Sequence, residues 1–76
     1  MYGQRELTRR ELEVLSLVAE GGTHEQIGVH LGISPRTAAV HIQRAAYKLG
    51  VSSGAEAASI AARSGRLPSK KDAGSG

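Results

Sequence analysis
Only Gly32, Ile33 and Ser34 stand between a helix stop and a helix start in this chain, and that short joint restricts the fold more than any other stretch. Gly32 suits the left-handed residue that closes a helix after Leu31. Ser34 suits an N-cap, and Pro35 suits the first helical position, where its missing N–H costs nothing and its fixed φ is already helical. Two helices joined so tightly cannot lie side by side along their length. They cross steeply, as a helix-turn-helix does.

The helix after the joint is predicted over residues 35–49, a run with no Gly, no interior Pro and no acid. Gly50 closes it, with Val51 placed to pack back over the last turn. At about 100° per residue, Ala38, Ile42, Ala45 and Leu49 form one narrow stripe, the core side. The opposite face carries Arg36, Val40, Gln43 and Tyr47, with Ala39 on one edge, while Thr37, His41, Arg44 and Lys48 line the other flank. Such a face suits a helix lying in a DNA major groove. Small side chains allow close approach, an amide pairs with a base edge, and flanking cations meet phosphates. An ordinary solvated helix face has the same pattern, so this helix alone does not decide between the two.

The remaining helices are announced by their caps. Thr8 and Glu11 form a capping-box pair, with Leu7 and Leu12 placed as a hydrophobic staple, and the first helix runs over about 8–20 with Leu12, Leu15, Val18 and Ala19 inward. Thr23 and Gln26 repeat the box for a short helix over 24–31 that buries Ile27 and Leu31, with Gly28 leaving room for a close neighbour. Ser53 and Glu56 give a third box, opening an alanine-rich helix over about 54–64. That helix is apolar on more than one side. One side closes over the first and third helices, and a second, with Ala58, Ile60, Ala61 and Ala62, is expected to meet a partner helix; the alternative is simply a helix of high alanine propensity. Residues 1–6 read as a flexible lead-in, 7–67 as one domain and 68–76 as a disordered tail. The expected class is all-α, four helices and no strand.

Composition removes several functions. Seventy-six residues with two Tyr, no Phe and no Trp make one small aliphatic core. There is no Cys, hence no thiol nucleophile or Cys-based zinc site, and His24, His30 and His41 lack metal-ligand spacing. No apolar run reaches membrane-spanning length, and no signal-peptide pattern opens the chain. The carboxylates are capping or surface residues and the serines mark helix starts or the tail, so no catalytic constellation is formed and no enzyme is expected. The net charge is only +3, but five of the seven acids lie in residues 1–25 and none between Gln26 and Ala55. Arg36, Arg44 and Lys48 therefore sit in an acid-free half, with a positive field over one surface.

Leu7-Thr8-x-Arg10-Glu11-x-Glu13-Val14-Leu15, then Ile27 followed by Leu31-Gly32-Ile33-Ser34, then Thr37 and His41, then Lys48-Leu49-Gly50-Val51 and Glu56-Ala57 resemble the LuxR/GerE-type helix-turn-helix. The resemblance covers about residues 6 to 65, and five motif pieces in order make it specific. It implies a DNA-binding domain of a bacterial transcription regulator, with the third helix in the major groove and the fourth pairing two copies. Carried over by position, Ala39, Val40 and Gln43 would face bases, joined by Arg36 in the first turn; Thr37, His41, Arg44 and Lys48 would face phosphates. The chain departs from the family at Ala38, where Val is frequent, and at Ala39, where Lys or Arg is frequent. It also has Gln26-Ile27-Gly28 for Glu-Ile-Ala, Glu25 beside the phosphate path and Gly54 for a frequent Arg. These changes imply weaker non-specific DNA affinity than the family norm.

The expectation is sequence-specific binding of double-stranded DNA in transcription regulation, without cofactor, metal, membrane or small-molecule ligand. The expected partners are double-stranded DNA, a second copy of the chain and RNA polymerase, in the bacterial cytoplasm at the nucleoid. Two alternatives are a promoter-binding domain like sigma-factor region 4, and a helix-turn-helix that has exchanged DNA binding for protein interaction.

Overall fold
The computed structural model describes residues 6–65 and residue 67. Helices follow in the order α1 (Arg9–Ala19), α2 (His24–Leu31), α3 (Pro35–Leu49) and α4 (Gly54–Arg63), with no strand among the described residues. The fold is all-α. Residues 1–5 of the expected lead-in and the expected tail over 68–76 lie outside the described residues.

Local chemistry sets the boundaries. At α1 the Thr8 hydroxyl accepts from the Glu11 N–H at 3.1 Å, and Glu11 Oε1 accepts from the Thr8 N–H at 2.8 Å. Thr23 and Gln26 repeat both arms at α2, at 3.1 and 2.9 Å. The box expected at α4 is only half formed. Ser53 Oγ accepts from the Glu56 N–H at 3.1 Å, but Glu56 Oε1 turns to the hydroxyls of Ser52 and Ser53. A hydroxyl pair one turn back offers the carboxylate the same kind of donor as the backbone does.

Gly32 and Gly50 close α2 and α3 at φ of 72° and 73°, a conformation in which a Cβ is strained. The next residue of each turns inward: the Ile33 N–H donates to the Gly28 carbonyl at 2.8 Å and the Val51 N–H to the Ala46 carbonyl at 3.0 Å. Between α2 and α3 the chain passes so close to Gly28 that a Cβ there would stand 2.5 Å from the Ile33 carbonyl oxygen. The room that Gly28 leaves is taken by the turn itself.

Packing forms two clusters around a shared residue. Leu15, Ala45, Ala46, Ala57, Ala58 and Ala61 join α1, α3 and α4, with Leu7, Leu49, Val51 and Leu67 at the margin. Val14, Ile27, Ala38 and Ile42 join α1, α2 and α3, with Leu17, Leu31 and Ile33 at the margin. Val18 touches both clusters. On α1 the inward set is Glu11, Val14, Leu15 and Ser16 with half-buried Leu12 and Val18, while Ala19 is exposed, not inward as expected. Ala19 is the last residue of the helix and belongs to neither cluster.

The expectation for α4 needs a larger correction. Ala58 and Ala61 are buried inside this chain against α1 and α3, so they are not a surface for a second copy. Ile60 is half-buried, and Ala62 alone of the four expected contacts is exposed. In a helix that is alanine on nearly every side, hydrophobicity cannot tell the inner face from the outer one; contact with α1 and α3 decides it.

Candidate nucleic-acid interface
α3 is held from one side only. Ala38, Ile42, Ala45 and Ala46 are buried beneath it, leaving the opposite stripe of Arg36, Gln43 and Tyr47 exposed, with Val40 half-buried among them. These residues step by four, three and four along the helix, so they stay on one line. Ala39 is half-buried on one edge of this line. Thr37 and Arg44 are exposed on the other edge, with His41 half-buried between them. The structure thus brings the expected base-facing and phosphate-facing residues, Lys48 apart, onto one side of a single helix.

The first turn of α3 is ordered by its own hydrogen bonds. Ser34 Oγ accepts from the Thr37 N–H and donates to Thr37 Oγ1, both at 3.0 Å. A hydroxyl that accepts there keeps its own proton to donate outward. The helix begins with its positive dipole end at this turn, and Arg36 stands exposed beside it. No acid occurs in α3.

Lys48 has a different occupation from the one expected. Its ammonium donates to Glu11 Oε1 at 2.9 Å and to the Glu6 carbonyl at 3.2 Å, and its side chain is only 19% exposed. The Glu11 carboxylate is almost wholly buried. Burial pushes its pKa up, but the Thr8 N–H, the Lys48 ammonium and the Thr8 hydroxyl together outweigh that and hold it below the ordinary value of 4.5. Lys48 therefore joins the end of α3 to the start of α1, with its ammonium engaged inside the domain. Sequence reading found the capping role of Glu11 because a box is local in sequence; the partner on another helix leaves no such mark.

The hollows are shallow, and one runs along α3 between Val40, Gln43, Arg44, Tyr47 and Lys48. Among the described residues no group of three or more His, Asp or Glu is placed to hold a metal ion. No helix among them is long and apolar enough to cross a membrane.

Comparison with known proteins agrees with this architecture. The family model GerE, described as bacterial regulatory proteins, luxR family, matches residues 5–61. The transcriptional regulatory protein LiaR of Bacillus subtilis (strain 168) is 47% identical over 57 residues, which is 75% of this chain and 27% of LiaR. The transcriptional regulatory protein UhpA of Escherichia coli (strain K12) is 42% identical over 55 residues, 72% of this chain and 28% of UhpA. UhpA of Salmonella typhimurium matches equally well. The chain thus spans little more than a quarter of the length of these curated relatives.

Proposed function
Because the chain belongs to the luxR family of bacterial regulatory proteins, helix-turn-helix DNA-binding domains of transcription regulators, we propose that it reads double-stranded DNA with α3 in the major groove. Arg36, Ala39, Val40 and Gln43 face the bases; Thr37, His41 and Arg44 face the backbone. The observation that carries this reading is the one-sided burial of α3, which leaves an acid-free line of Arg36, Gln43 and Tyr47 exposed, with Arg44 on its edge. Gln43 is the reader of choice, since its amide pairs bidentately with adenine N6 and N7.

Two copies bind as a pair, each taking a half-site, with the outer side of α4 around Ile60 and Ala62 between them. Occupancy of the site then recruits or excludes RNA polymerase. The domain acts in the cytoplasm, at the nucleoid.

Fluorescence anisotropy on random-sequence duplex DNA across a salt series tests the reading. Affinity is expected to fall steeply with salt, and Arg36→Glu/Arg44→Glu is expected to abolish binding. A folded domain that binds no duplex at low salt, alone or as a forced dimer, overturns it and leaves the protein-interaction alternative.

A further inference from the structure
Tyr47 is 86% exposed, one of two large hydrophobic residues so uncovered among the described residues. It stands one turn beyond Gln43 on the outward line of α3, directly opposite the buried stripe. With Val40, Gln43, Arg44 and Lys48 it lines a shallow hollow of about 390 Å³, most of whose surface is apolar. The apolar character has a cause. The Lys48 ammonium is held by Glu11 and the Glu6 carbonyl, so the charge of this lining residue is already engaged.

A major groove presents donors and acceptors along its floor and one apolar projection, the 5-methyl group of thymine. We propose that this hollow is a subsite for a thymine methyl, with Tyr47 as its outer wall and Val40 as its inner one. The inference rests on the reading of α3 as the groove-binding helix. Gln43 lies between the two walls, so the thymine is a near neighbour of the adenine that Gln43 pairs, and Arg44 at the rim meets the adjoining phosphate. From Arg36 to Tyr47 the line covers eleven helical steps. At a rise of about 1.5 Å per residue against about 3.4 Å per base pair, this spans roughly five base pairs, so Tyr47 carries the readout to the far end of the half-site.

The test uses a duplex selected from a random pool by the wild-type domain, with each thymine replaced in turn by deoxyuridine, which lacks only the methyl. One replacement is expected to lower wild-type affinity about fourfold, the factor that goes with burying a single methyl-sized group. Tyr47→Ala is expected to bind the thymine and deoxyuridine duplexes equally, and Tyr47→Phe, which keeps the ring, to discriminate as the wild type does. Tyr47 is exposed, so neither substitution disturbs the core, and unchanged melting temperatures check this. No thymine preference in the wild type, a preference that survives in Tyr47→Ala, or an equal loss on both duplexes that leaves the ratio unchanged overturns the subsite. A domain that selects no duplex at all overturns the groove reading beneath it, a result distinct from the other three.

Discussion

Lys48 Nζ and Glu11 Oε1 lie 2.9 Å apart, pinning the last turn of α3 to the first turn of α1 across thirty-seven residues of sequence. The same carboxylate oxygen accepts from the Thr8 N–H at 2.8 Å, so one acid both caps a helix and holds a second helix against it. The pairing connects domain stability to pH.

Glu11 has its pKa lowered by folding, so its contribution to stability is complete above the unfolded value of 4.5 and is lost as pH falls through the lower folded value. Urea unfolding at about pH 7 and about pH 3 is expected to show this loss, with a flatter difference in Glu11→Gln. Gln keeps the capping geometry, as Gln26 does at α2, without the titration. Lys48→Met leaves the carboxylate buried without its cation and is expected to cost about 3 kcal/mol at neutral pH, whereas Glu11→Gln/Lys48→Met costs less.

Gly28→Ala opposes two effects. Helix propensity favours Ala by about 1 kcal/mol, but the added Cβ meets backbone at Ile33 and Pro35, which cannot rotate aside as a side chain can. Steric repulsion wins, with a net loss of about 1–3 kcal/mol in the unfolding free energy. A rise in stability on this substitution means the turn relaxes more easily than its hydrogen bonds imply.

Ala61 and Ala62 are adjacent in sequence and opposite in environment, the first fully buried and the second exposed. Ala61→Leu overpacks the cluster between α1 and α4 and is expected to lower stability by about 1–3 kcal/mol. Ala62→Glu is expected to change it by no more than about 0.5 kcal/mol, while weakening self-association in sedimentation experiments.

Gln43→Ala and Arg44→Ala separate reading from holding. Loss of the amide is expected to relax the preference for adenine at one position by about 1–3 kcal/mol and leave the salt slope unchanged. Loss of the guanidinium weakens binding to all sequences alike and reduces the salt slope by about 1. Competition titrations with single-base variants of a selected duplex distinguish the two patterns.

What was legible in the sequence is what is written locally. Thr8, Thr23, Ser34, Gly32 and Gly50 act within four residues of themselves, and all five mark the helix ends they were expected to mark. The outward line of α3 was legible because Ile42 and Gln43 differ sharply in polarity. α4 was not, because Ala58, Ala61 and Ala62 are chemically the same and only their neighbours separate them. The Lys48–Glu11 pair was illegible for a related reason: beside Arg44 on a basic helix Lys48 reads as one more cation, and its acid stands at the start of another helix.

Among the described residues, six of the ten buried hydrophobic ones are alanine. Each removes little hydrocarbon from water, so the heat-capacity increase on unfolding should fall below the roughly 12–15 cal/mol/K per residue usual for globular domains. A small heat-capacity change flattens the dome of stability against temperature. Calorimetry on such a domain should find a modest maximum and a slow decline on either side, a thin core keeping a shallow but wide thermal range.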